Sequence, residues 1–178
     1  MRTFPLLMMT ALVLLQSATA SAQERGIELQ AGVGYVFDPG GGPSVPAVNP
    51  AVVAWLTPHW GVGARLTEGV GREDFDEPKG ATVGVAGLRM WTVTSQWRWF
   101  ARGTEVHVGL GAGRHEYRHL RPGTEQPTDD RSGHGFAAID LLVGRQVRGR
   151  LHVKGGFTFG LGWDFHPIQP MVMLAWKL

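Results

Sequence analysis

The sequence contains no cysteine, which excludes disulfides, thiolate metal sites and cysteine nucleophiles. Charge is scarce as well: Asp, Glu, Lys and Arg make up 18% of the chain, against about 25% in an average soluble protein. What charge there is nearly cancels, with 17 basic and 15 acidic residues, so no broad positive footprint for nucleic acid exists. No apolar run after the N-terminus approaches the roughly eighteen residues of a spanning helix. Helical periodicity is weak, and glycine interrupts nearly every candidate helix at about 1 kcal/mol each. Glycine is the residue in excess, 26 of 178, yet there is no collagen-like repeat, and a hydrophobic content of 43% is too high for a disordered chain. A charge-rich soluble enzyme fits this composition poorly.

Residues 1–22 have the layout of a secretory signal peptide. Arg2 supplies a positive n-region, Pro5 to Leu15 is an unbroken run apart from Thr10, and Ala20 and Ala22 stand at the −3 and −1 positions before Gln23. Eleven residues rise only about 16 Å as a helix, short of a bilayer core. No cysteine follows the cleavage site, so a lipoprotein anchor is excluded. Residues 23–178 then form one domain, exported without cysteine, as is ordinary for a bacterium.

That domain reads with a period of two. Ile27, Leu29, Ala31, Val33, Tyr35 and Phe37 share one face, with Glu28, Gln30, Gly32 and Gly34 on the other. Trp60, Val62, Ala64 and Leu66 alternate with Gly61, Gly63, Arg65 and Thr67. Val106, Val108, Leu110 and Ala112 repeat the pattern, as do Leu151, Val153, Phe157, Phe159, Leu161 and Trp163. Strict alternation over this length specifies strand. Eight segments are expected, near 26–37, 48–57, 60–68, 82–93, 104–115, 135–146, 150–163 and 170–178. Short connections at 57–60 and 146–149, and a somewhat longer one at 94–103, alternate with longer polar ones at 38–47, 69–81 and 116–134. The last connection, 164–169, is short but belongs by position to the longer set.

Alternation alone does not separate a soluble barrel from a membrane one. The polar face does: it is mostly glycine with single charges, which suits a narrow filled interior, and eight strands give about that bore. The other face is apolar over nine or more residues, matching the 9–11 needed for a tilted strand to cross a bilayer. The expected interior charges are Glu28, Arg65, Arg89, Glu105, Asp140, Lys154 and Lys177, with Gln30, His107 and His152 among them. Near balance in a confined space requires pairing. Neighbouring strands would pair Asp140 with Lys154, Glu105 with Arg89, and Glu28 with Lys177 or Arg65. Trp55, Trp60, Trp97, Trp99 and Trp176 fall at one end in an antiparallel order, as an interfacial aromatic girdle does.

The signal peptide, the eight alternating segments, the short turns at one end and the WLTPHWGVGARL hairpin (residues 55–66) resemble the small outer-membrane β-barrel proteins. The group is typified by the transmembrane domain of outer-membrane protein A and by outer-membrane protein X. The resemblance covers the whole exported chain and rests on pattern. It implies an all-β, eight-stranded antiparallel up-and-down transmembrane barrel with short periplasmic turns, longer outer loops and both termini in the periplasm. It also implies residence in the outer membrane, assembly through periplasmic chaperones and the barrel-assembly machinery, and a monomer in contact with lipid and lipopolysaccharide. In that family the last strand ends in an aromatic residue. Here Val172, Leu174 and Trp176 alternate correctly, and the final residue is Leu178.

No catalytic constellation stands out. Some barrels of this size act on lipid A through Ser and His, but Ser44, Ser95 and Ser132 do not sit beside a His on a lipid-facing strand position, and His115, His134 and Asp129 show no specific spacing. His107 and His152 lack a third ligand at metal-site spacing, so no metal or cofactor is expected. Glu73, Asp74, Asp76 and Glu77 lack a calcium-loop register. The GxG occurrences precede no helix and are not nucleotide motifs. Arg114, Arg118 and Arg121 would lie outside, near lipopolysaccharide phosphates, for which Arg is a good bidentate partner. The expected role is structural, adhesive or envelope-stabilising, with a lumen plugged by polar side chains. A narrow pore for ions or small solutes is the alternative, and a lipid A-modifying enzyme the third.

Overall fold

A computed structural model describes residues 25–39, 44–70, 73–76, 82–120, 127–163 and 166–178. The expected signal peptide and Arg121 lie outside the described residues. Among the described residues there are eleven strands: β1 (Gly26–Val36), β2 (Val45–Val48), β3 (Ala51–Trp55), β4 (Trp60–Gly69), β5 (Glu73–Asp76), β6 (Thr82–Ala101), β7 (Thr104–Leu120), β8 (Pro127–Ser132), β9 (Gly135–Arg148), β10 (Leu151–Gly162) and β11 (Ile168–Lys177). They merge into eight spans. β2 and β3 lie in one continuous register against β1 and β4, broken only at Asn49-Pro50, where proline has no N–H to give. β5 prolongs β4 along β6, and β8 prolongs β9 along β7.

Every pairing is antiparallel, and β1 pairs with β11, from Glu28 opposite Lys177 to Gly34 opposite Met171. The sheet is therefore closed. Registered partners run from Phe37 through Ile168, Phe159, Ile139, Leu110, Ser95, Val62 and Ala54 back to β1 at Ile27. One circuit thus drops ten residues, which tilts eight strands by about 40° to the axis and leaves a bore filled by side chains.

The connections alternate in length as expected, with two differences. The chain does not leave the sheet at 94–103: β6 continues to Ala101 and turns in two residues, Arg102 and Gly103, at φ 50° and 79°. Positive φ at both central positions is the twist a two-residue hairpin requires, and glycine adopts it without strain. The 116–134 stretch is also largely strand, because β7 extends to Leu120 and β8 folds back on it. Strand residues therefore continue well past the apolar wall on this side.

Over most of the described strand residues burial alternates, with the apolar set outside. Val33, Val143, Leu161, Val172 and Leu174 are each more than half exposed. The inward set is glycine and polar residues, with apolar side chains gathered in two buried clusters. Gly156 is inward, and a β-carbon there would collide with the Leu141 carbonyl oxygen and the Leu142 backbone. Its neighbour Gly155 points outward, where the nearest atom to an added β-carbon is the Met171 oxygen at 3.7 Å.

Overpacking of this kind costs about 1–3 kcal/mol. Gly156→Ala is expected to lower the unfolding free energy by that amount in urea titrations followed by gel-mobility shifts, while Gly155→Ala leaves it within error.

Candidate functional site

The lumen is the candidate site, and it is layered along the axis. At the short-turn end Lys154 of β10 donates to Glu28 of β1, and Lys177 of β11 donates to Glu105 of β7. The Glu105 carboxylate is shared: His107 Nε2 lies 3.1 Å from Oε2, His152 Nδ1 lies 3.4 Å from Oε1, and Lys154 Nζ stands 3.9 Å from Oε2. Gln30 and, at 3.4 Å, the Trp55 indole N–H also donate to Glu28. Both carboxylates are fully enclosed, and each is compensated by an ammonium, as burial of a charge demands.

Arg98 closes this end. Its side chain is 1% exposed, its guanidinium carbon lies 3.8 Å from the centre of the Trp55 ring, and its Nε donates to the Pro58 carbonyl at 2.7 Å. A desolvated guanidinium on an indole face gains a cation–π attraction of about 2 kcal/mol. The turn at Leu56–His59 is thereby tied across the mouth.

A second ion pair occupies the middle. Arg65 of β4 reaches across to β9, where Nη2 donates to Asp140 Oδ1 at 2.6 Å, and also donates to Thr158 Oγ1 at 2.7 Å. Thr158 Oγ1 donates to the same Asp140 oxygen at 2.7 Å, and Gln96 Nε2 donates to Oδ2 at 3.2 Å. Leu142, Met171 and Met173 form an apolar spacer beside it. Above lies a neutral set in which Thr67 and Gln169 both donate to Asn49 Oδ1, at 2.9 and 2.7 Å. The long-loop end is capped by Val36, Val45, Ala47, Leu88, Met90, Phe136 and Ala138, all buried. The cavity lined by Gln30, Val53, Gly63, Arg65, Gln96 and Asp140 measures about 10 Å³, room for about one water.

Of the residues singled out in the sequence, Glu28, Arg65, Glu105, His107, Asp140, His152 and Lys154 are buried in this lumen, and Lys177 is partly buried at its edge. Arg89 is not there. It lies on the outer wall, half exposed, paired with Glu68 at 2.6 Å. The cause is the phase of β6, which turns Leu88, Met90 and Thr92 inward and leaves Arg89 and Trp91 outside. The expected pairs also differ. Asp140 takes Arg65 instead of Lys154, Lys154 takes Glu28, and Lys177 takes Glu105. All three pairs join strands that are not neighbours.

Trp55 is likewise no part of a girdle: it is 3% exposed and stacked beneath Arg98. Trp60, Trp97, Trp99 and Trp176 do lie outward at the short-turn end, and the Trp60 indole N–H donates to Ser95 Oγ at 2.7 Å. Arg114 is on the outer wall; the side chain of Arg118 lies outside the described set. Sequence reasoning missed Arg98, Gln96, Thr158 and Asn49. For Arg98 the signal was its parity with Thr94 and Gln96 in β6, obscured by reading 94–103 as a connection.

No protein-family model matches the sequence, and no curated protein matches it. Solved structures do match. The N-terminal β-barrel domain of OprF from Pseudomonas aeruginosa aligns with a TM-score of 0.64 at 8% identity, covering 87% of this chain and 98% of that one. OprG, an outer membrane protein of the same organism, gives 0.61 at 9% identity over 86% and 96%. Ail, the attachment invasion locus protein of Yersinia pestis, gives 0.60 at 13% identity over 87% and 100%. The chain has the fold of the small eight-stranded outer-membrane barrels.

Breaking a buried ion pair from one side costs about 3–5 kcal/mol, whereas replacing both partners by apolar groups is close to neutral. Arg65→Met is expected to destabilise the barrel by that amount in urea titrations, and Arg65→Met combined with Asp140→Leu to recover most of it.

Proposed function

We propose that the protein is a resident of the bacterial outer membrane whose lumen is a structural plug, with a role in envelope integrity or surface adhesion and no catalysis. The observation that carries this is the inverted wall: apolar side chains cover the outside of a closed sheet while two buried ion-pair clusters fill the inside. In hydrocarbon, closure is what satisfies every backbone N–H and C=O. In water the same wall would expose an apolar surface far larger than soluble monomers tolerate.

A closed lumen supports the non-conducting form of this reading over a pore. Trp55, Arg98 and Pro58 meet at one mouth, and seven apolar side chains meet at the other. An adhesive role draws support from the fold shared with Ail, which is named for attachment and invasion, and from the strands that run on past the apolar wall. Export by the signal peptide, folding by periplasmic chaperones and the barrel-assembly machinery, a monomeric state and contact of Arg114 with lipopolysaccharide belong to the same proposal.

Planar-bilayer recording tests the plug. The protein reconstituted at high salt is expected to give no unitary steps; regular steps of one amplitude would replace the plug with a pore. Lipid A incubated with the protein should keep its mass, and loss or gain of an acyl chain would make it an enzyme. In cells, the protein should appear in the detergent-extracted envelope fraction and not among proteins released by osmotic shock.

A further inference from the structure

The outer wall is not equally tall on all sides. On β6 the outward row runs from Trp99 up to Trp91, and the next outward residue is Arg89. Arg89 grips Glu68 of β4 with two hydrogen bonds, Nε to Oε2 at 2.6 Å and Nη2 to Oε1 at 3.0 Å, and its guanidinium lies 5.9 Å from the Trp91 ring. On the other side of β6, Glu116 of β7 is registered opposite Arg89, and Arg114 opposite Trp91; Arg114 Nε stands 3.7 Å from Glu116 Oε1. A belt of charge therefore crosses three neighbouring spans.

Across the barrel, the outward row of β10 passes through Leu151, Val153, Phe157, Phe159 and Leu161 to Trp163, which is 92% exposed, without meeting a charge. Tyr35, Phe37 and Ile168 continue that surface on β1 and β11. Height is compared by way of the register. The circuit falls ten residues over eight spans, so each step along a registered row drops about 1.25 residues. With that correction, Glu68, Arg89 and Arg114 stand level with Tyr35, Phe37, Leu161 and Ile168 to within about two residues. The apolar wall is then about 20 Å tall between Trp99 and Trp91, and about 30 Å between Leu151 and Trp163. A band of about 25 Å is usual for such barrels.

Resting on the membrane reading above, we propose that the β4–β6–β7 wall is a site of local bilayer thinning. There the headgroups of the leaflet at the long-loop end descend to the Glu68–Arg89–Arg114 belt. On the β10–β11–β1 wall the same leaflet reaches the level of Trp163. The partner of this surface is a lipid headgroup with its hydration water, because hydrocarbon over four ionised side chains costs far more than compressing acyl chains by a few ångströms. The lower edges of the two walls are level, so the difference falls on one leaflet.

The absence of cysteine makes the test direct. Single variants Ala112→Cys on β7 and Phe159→Cys on β10 place a bimane fluorophore outward at about the same height; Val106→Cys and Val153→Cys form a matched pair near the short-turn end. Each is refolded into phosphatidylcholine vesicles carrying bromines at a series of acyl depths. The label at Ala112 is expected to lie shallower than that at Phe159 by about 5 Å, with the lower pair equal. Adding Glu68→Leu and Arg89→Leu should bring the Ala112 label to the depth of the other. Equal depths at Ala112 and Phe159, or no response to the double substitution, would overturn the proposal. An offset at the lower pair as large as at the upper would also overturn it, since that is rigid tilt. Labels unquenched at all four positions would instead remove the membrane reading itself.

Discussion

Closure of the sheet between β1 and β11 is the constraint on which the rest depends. Seven consecutive registered pairs join the first strand to the last, so among the described residues the wall closes on itself and only the extensions β5 and β8 are paired on one side. A circuit of eight spans with a ten-residue drop sets the radius, and the radius sets how much can stand inside. The interior then admits glycine where the backbone of the neighbouring strand leaves no room for a β-carbon, as at Gly156, and long side chains where they meet a partner. Composition follows from geometry: the excess of glycine and the scarcity of charge are what a narrow filled cylinder leaves room for.

The same radius explains the form of the polar network. In a wide barrel a lysine would pair with its nearest strand. Here Arg65 spans from β4 to β9, and Lys177 from β11 to β7, because opposite walls lie within reach of one side chain. Asp140 is thereby held by donors from three other strands, Arg65, Thr158 and Gln96, and Glu105 by Lys177 from β11 together with His107 of its own strand. Cross-bracing of this kind ties strands far apart in the sequence. It braces the wall from within, between Arg98 on Trp55 at one end and the Val36–Leu88–Phe136 cluster at the other.

The wall was legible in the sequence because its signal is local. Alternation in 26–37, 60–68, 104–112 and 151–163 needs only that one face be apolar, and each of those strands has the expected face outward. Interior pairing was not legible, since which wall a side chain reaches depends on the tilt and radius, which no single segment reveals. Trp55 and Arg89 show the limit most clearly. A tryptophan at a strand end reads as an interfacial anchor, whereas Trp55 is the shelf on which Arg98 rests. An arginine within an alternating segment reads as a lumen charge, although Val83, Val85, Trp91 and Val93 share its parity in the sequence and make that segment the least clear of the eight. Trp91 and Val93 do face outward, and Arg89 goes with them, just above the last apolar residue of that row.

The central claim is that the apolar row of each span faces lipid. A hydrophobic diazirine dissolved in the membrane and activated by light reports this on the unmodified protein, with labelled residues read by mass spectrometry along β10. The inverted wall predicts carbene adducts on Val153, Phe157, Phe159 and Leu161 and none on His152, Lys154 or Thr158. Adducts distributed without a period of two, or confined to the polar set, would contradict it.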